Sequence, residues 1–100
     1  MPQVKSDFYG VVLMLELLEH VPDPPQAFKE AARILKPGGI FICTTPSCWP
    51  VHRHPKDYWR FLPDGLDYLC QISNLKIYNR LFNSPSGVIP GHVGVAATKE

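Results

Sequence analysis

His20, His52 and His54 are the side chains best suited to moving a proton near neutral pH, and Asp57 can orient an imidazole or accept a proton itself. Trp49, Tyr58 and Trp59 can wall a pocket for an organic ligand, and an aromatic face attracts a cation. Each residue also has a plainer role. Glu19 can be a solvated charge ahead of a loop, and His20 can fix its turn through a backbone hydrogen bond. Trp59 and Phe61 are expected to pack the loop onto the sheet, whereas His52, Tyr58 and Arg60 are expected to touch substrate.

Cys43, Cys48, His52 and His54 bring two thiols and two imidazoles into one stretch, which raises the question of zinc. The spacing argues against it. Cys43 falls inside an apolar run, the two-residue gap of a zinc knuckle is missing, and Pro50 stiffens the middle, so no metal site is expected. Nucleophilic catalysis has weaker support still, since there is no G-x-S-x-G elbow, and Cys48 ahead of His52 is the best cysteine pairing available.

These residues sit in a chain of 100, with ten basic against nine acidic side chains and 45% apolar residues, the composition of one small soluble domain. Its basic residues form no contiguous stripe, which argues against a nucleic-acid partner. The longest apolar stretch, Val11 to Leu15, is cut by Glu16 and Glu19, so no membrane span or signal region is expected and the chain should stay in the cytoplasm. Three cysteines make no disulfide framework; Cys43 and Cys70 are expected in the core.

Phe8 to Leu15 is almost continuously apolar, as in a strand buried on both faces of a parallel sheet, with Gly10 weakening its start. A short helical turn over 16–21 ends at Pro22. Asp23 is a good N-cap and Pro24 fits the first helical position, so a helix begins there, with Phe28, Ala31, Ala32 and Leu35 as its apolar stripe. Lys36, Pro37, Gly38 and Gly39 stop it, and Ile40 to Thr45 forms the next strand. Strand, helix and strand make a right-handed βαβ unit, hence an α/β fold. A loop follows over 46–62, then a helix from Pro63 to Gln71, a strand from Leu75 to Phe82, a turn region over 83–91, and a last strand, Val93 to Thr98, paired as an antiparallel hairpin.

The runs Leu18 to Pro24 (LEHVPDP) and Leu35 to Gly39 (LKPGG) closely resemble the second half of a class I S-adenosylmethionine-dependent methyltransferase, following its fourth strand and leading into its fifth. His52 to Phe61 resembles the substrate-side loop of members acting on small molecules, lipids or sugars. The resemblance runs from about Phe8 to Thr98. It implies a partial Rossmann-like sheet, with S-adenosylmethionine across the carboxyl ends of the strands. Leu15 and Glu16 would then border its methionine part, with Glu19 and His20 just beyond. His20, His52 and Asp57 would be the catalytic candidates, and His52, Tyr58 and Arg60 would meet a small organic acceptor.

The family's glycine-rich loop and the acidic residue after its second strand have no counterpart here, and Gly38 and Gly39 belong to a helix exit. The chain therefore reads as a single methyltransferase domain lacking its N-terminal half, inactive in isolation. Handedness puts both helices on one face of the sheet, leaving the other face bare and an apolar edge unpaired. A missing N-terminal half, or self-association, would cover them. The rival reading is a non-catalytic remnant that binds another protein through that face.

Overall fold

A computed structural model describes residues 5–47, 56–81 and 91–100. In chain order they form β1 (Tyr9–Leu15), a single 3-10 turn (Leu18–His20), α1 (Pro24–Ile34), β2 (Leu35–Pro46), α2 (Pro63–Ile72), β3 (Leu75–Leu81) and β4 (His92–Lys99). The strands make one sheet in the order β1-β2-β4-β3. β1 and β2 are parallel and joined through α1, while β4 runs antiparallel to both β2 and β3. The ends of β1, β2 and β3 and the start of β4 therefore share one edge of the sheet.

α1 starts where its residues dictate. The Asp23 carboxylate accepts from the Gln26 amide at 3.2 Å, and Pro24 occupies the first turn, where a missing N–H costs nothing. Phe28, Ala31, Ala32 and Leu35 are buried as the periodicity predicts, and Phe28 meets Phe41 of β2 edge-on with ring centroids 5.1 Å apart. Leu66, Leu69 and Cys70 of α2 pack into the same core with Cys43, Val93, Val95 and Ala97. Burying a side chain of the size of Phe28 contributes about 1.5–3 kcal/mol.

The glycines at 38 and 39 act differently from the expectation. The helix ends at Ile34, and Leu35 is already extended and paired with Tyr9, while the next pairing is Val11 with Ile40. Residues 36–39 thus bulge out of β2 rather than separating it from the helix. The bulge needs Gly38 at φ +79°. At Gly39 a Cβ would come within 2.9 Å of the Gly10 carbonyl, so the two backbones approach more closely than a side chain permits.

β1 also departs from a strand buried on both faces. Met14 is buried and Val12 half-buried, but Val11, Leu13 and Leu15 are 55%, 57% and 53% exposed. The cause is the one-sided helix layer: α1 and α2 pack on each other and on the same sheet face. Among the described residues nothing covers the β1 side of the opposite face, where Ile40 is exposed as well. The register of β3 to β4 shifts between Ile77 and Asn79.

Candidate active site

Leu15 ends β1 opposite Thr44 of β2 and is exposed. Glu16 follows it with φ +52°, its amide donating to the Thr44 carbonyl at 2.8 Å. Two residues later the 3-10 turn tucks Leu18 and Glu19 inward, at 0% and 1% exposure. Glu19 is therefore not the solvated charge its position allows.

Burying a carboxylate is costly unless it is hydrogen-bonded, and Glu19 is. The Thr45 hydroxyl donates to its Oε1 at 3.3 Å, and its Oε2 lies 3.5 Å from His20 Nε2. The Glu19 backbone carbonyl accepts from the amides of Tyr58 and Trp59 at 2.8 and 3.2 Å. The His20 ring reaches the same segment, with Nδ1 2.8 Å from the Lys56 carbonyl. A carbonyl only accepts, so Nδ1 carries the proton in that contact. His20 does use a backbone hydrogen bond, although to a residue far along the chain rather than within its own turn.

The segment 56–62 has no helix or strand, as expected for its part of the loop, and it is fixed by its own side chains as well. Asp57 engages Arg60 with both carboxylate oxygens, and 1% of its side chain is exposed. Asp57 raises the pKa of the guanidinium chiefly through this hydrogen bonding. Trp59 donates through its indole N–H to the Val21 carbonyl at 2.8 Å, and Phe61 packs against the core. Tyr58 is 49% exposed beside this anchored backbone. Leu62 provides no side-chain cap for α2.

The structure thus brings Leu15, Glu16, Glu19, His20, Asp57, Tyr58 and Arg60 to the carboxyl edge of the sheet and the segment docked on it. His52, with Trp49, Cys48 and His54, lies outside the described residues. Cys43 is buried within β2, and burial drives its thiol pKa strongly upward. Among the described residues no group of three or more His, Cys, Asp or Glu is arranged to hold a metal. Among them, too, no helix is long and apolar enough to cross a membrane.

Two residues of this edge escape a reading of the sequence. Thr45 is an ordinary strand residue until its hydroxyl is seen on Glu19. His92 opens β4, and its Nε2 lies 2.6 Å from Glu16 Oε1. An antiparallel last strand begins at the carboxyl edge, so a titratable residue just ahead of Val93 was the available signal.

Residues 1–84 match the family described as Methyltransferase domain. The chain is 44% identical over 64 residues to a ubiquinone biosynthesis O-methyltransferase of Alkalilimnicola ehrlichii, covering 64% of this chain and 24% of the relative. It is 41% identical over 64 residues to the enzyme of the same name from Saccharophagus degradans, covering 64% and 25%. The chain thus spans about a quarter of the length of the curated relatives it matches. Among solved structures it superposes on a SAM-dependent methyltransferase of Thermotoga maritima, described as a possible histamine N-methyltransferase, with TM-score 0.72 and 25% identity over 98% of this chain and 59% of the other. The parallel β1–α1–β2 unit with its antiparallel β4 is a Rossmann-like arrangement shared with that neighbour, and the chain belongs to the Methyltransferase domain family.

Proposed function

We propose that this chain is the acceptor-side half of an S-adenosylmethionine-dependent methyltransferase domain acting on a small organic molecule. The observation that carries the proposal is the Glu19 hub, which ties the end of β2, the His20 ring and the 56–61 segment into one wall at the carboxyl edge. Ligands of open α/β sheets bind at that edge. The curated relatives are named O-methyltransferases, which favours an oxygen acceptor.

The residues present suit one end of the donor. A carboxylate at Glu16, 44% exposed, matches a cationic ammonium or sulfonium, and Leu15 supplies apolar contact beside it. When bound, S-adenosylmethionine supplies a sulfonium methyl, so that a carbon–sulfur bond breaks as a carbon–oxygen bond forms. His20 takes the acceptor proton at Nε2, its ring fixed through Nδ1 by Lys56 and its new charge faced by the Glu19 carboxylate. Tyr58 and Arg60 line the acceptor side, with Asp57 holding Arg60 in place and His52 as a second proton acceptor.

The remainder of the domain covers the bare face and the β1 edge. An apolar groove of about 630 Å³ beside that edge, lined by Val12, Met14, Leu17, Ala27, Ala31 and Ile34, favours an additional packed element there. Isothermal titration with S-adenosylmethionine and S-adenosylhomocysteine tests the reading. The full gene product should bind both saturably, and His20→Ala should keep donor binding while losing methyl transfer. Absence of binding by the full product would instead favour a non-catalytic remnant that uses the bare face to hold another protein.

A further inference from the structure

Glu16 is held by two ties in a backbone conformation that non-glycine residues seldom adopt. Its φ is +52°, its amide donates to the Thr44 carbonyl, and its Oε1 lies 2.6 Å from His92 Nε2. β4 enters the sheet at the edge where β1 leaves it, with His92 opposite Pro46 of β2. The Glu16–His92 contact therefore reaches over the end of β2 and joins two strands that are not neighbours in the sheet.

Stability alone is a poor reason for this arrangement. The Glu16 side chain is 44% exposed and that of His92 26%, and a polar contact so open to water contributes little to folding. A strained backbone kept in place by such a pair points toward function. What the pair does achieve is direction: the Glu16 carboxylate stays at the ligand edge of β1 rather than sweeping through solvent.

Resting on the methyl-donor reading above, we propose that His92 is a positioning residue. Its Nε2–H fixes the Glu16 carboxylate where that carboxylate meets the cationic methionine end of the donor, either ammonium or sulfonium. No step of the chemistry passes through His92. Its effect is on donor affinity.

The test is isothermal titration of the full gene product with S-adenosylmethionine and S-adenosylhomocysteine, using wild type, Glu16→Gln, His92→Phe and His92→Gln, with a thermal melt of each. Glu16→Gln and His92→Phe should weaken S-adenosylmethionine binding about tenfold or more, whereas His92→Gln, whose amide can still donate, should stay within about threefold of wild type. Melting temperatures should move together by no more than a few degrees. A loss shared by S-adenosylhomocysteine assigns the contact to the ammonium, and a loss confined to S-adenosylmethionine assigns it to the sulfonium. The proposal is overturned if His92→Phe binds like wild type, or if His92→Phe and His92→Gln are weakened equally. A wild type that binds neither compound overturns the donor reading and this inference with it; a wild type that binds while the variants are unaffected overturns the positioning role alone.

Discussion

Thr45 and Glu19 meet beneath the surface, the Thr45 hydroxyl donating to the Glu19 carboxylate at 3.3 Å with neither residue more than 1% exposed. This bond joins the end of β2 to the turn after β1, and through the Glu19 carbonyl it bears on the segment that carries Tyr58 and Trp59. Thr45→Val keeps the shape of the side chain and removes its donor, leaving a buried carboxylate one hydrogen bond short. The expected cost is about 1–3 kcal/mol in urea unfolding. Thr45→Ser should stay close to wild type, and equal stability of the Val and Ser variants would show that the bond contributes nothing.

The edge-on pair of Phe28 and Phe41 is the centre of the packing between α1 and the sheet, and both rings are fully buried. Phe28→Ala removes this contact and leaves a cavity, with an expected loss of about 3–5 kcal/mol. In a domain of this size that is a large share of a total of about 5–15 kcal/mol. A denaturation midpoint shifted only slightly would mean that α1 collapses onto the sheet without the ring.

The buried thiols give the stability a definite dependence on alkaline pH. Burial raises the Cys70 pKa to about 12, and it raises that of Cys43 as well. The unfolded thiols ionise near the ordinary value of 9.0 while the folded ones stay neutral. Their contribution is therefore complete below pH 9 and declines as pH rises toward the folded values, each thiol adding a slope of about 1.4 kcal/mol per pH unit. Cys70→Ala should flatten the decline between pH 9 and 11 in a series of melts. In a Cys48→Ser background at pH 8, Cys43 and Cys70 should react slowly with Ellman's reagent until the chain is unfolded, and fast labelling of that native variant would contradict their burial.

Local signals carried most of the fold. Asp23, Pro24 and the Phe28, Ala31, Ala32, Leu35 stripe each concern residues close in sequence, and they place α1 and its buried face correctly. The 36–39 bulge was not legible, because it depends on Tyr9 pairing with Leu35, a contact between segments that no local pattern reports. The site divides in the same way. Glu16, Glu19 and His20 stand out by type and by motif, but the Thr45 and His92 contacts require strands β2 and β4 to be brought to one edge. Asp57 shows the limit of residue type: its carboxylate engages Arg60, a relationship that spacing permits but does not demand.

Tyr58 separates the two sides of the proposed site. Its amide is anchored on the Glu19 carbonyl while the residue is 49% exposed, so Tyr58→Ala should leave the loop backbone in place. In the full gene product the variant should raise the acceptor KM or lower kcat while donor affinity stays within a few-fold of wild type. Unchanged acceptor kinetics would remove the 56–61 segment from substrate contact.

The bare sheet face makes the most direct demand on the chain by itself. Val11, Leu13, Leu15 and Ile40 are exposed side by side, β1 contains no charged residue, and among the described residues it is the edge strand of the sheet. Natural edge strands are normally blunted by a charge, a proline or a covering element. This 100-residue chain in isolation should therefore self-associate or bind a hydrophobic dye. Leu13→Lys puts a charge at the centre of the face without touching the helix-side core, and it should reduce both signals while leaving the far-UV circular dichroism unchanged. A wild-type chain that sediments as a monomer and fails to brighten the dye would mean that the face is protected by some other means, and it would remove the physical case for a missing covering element.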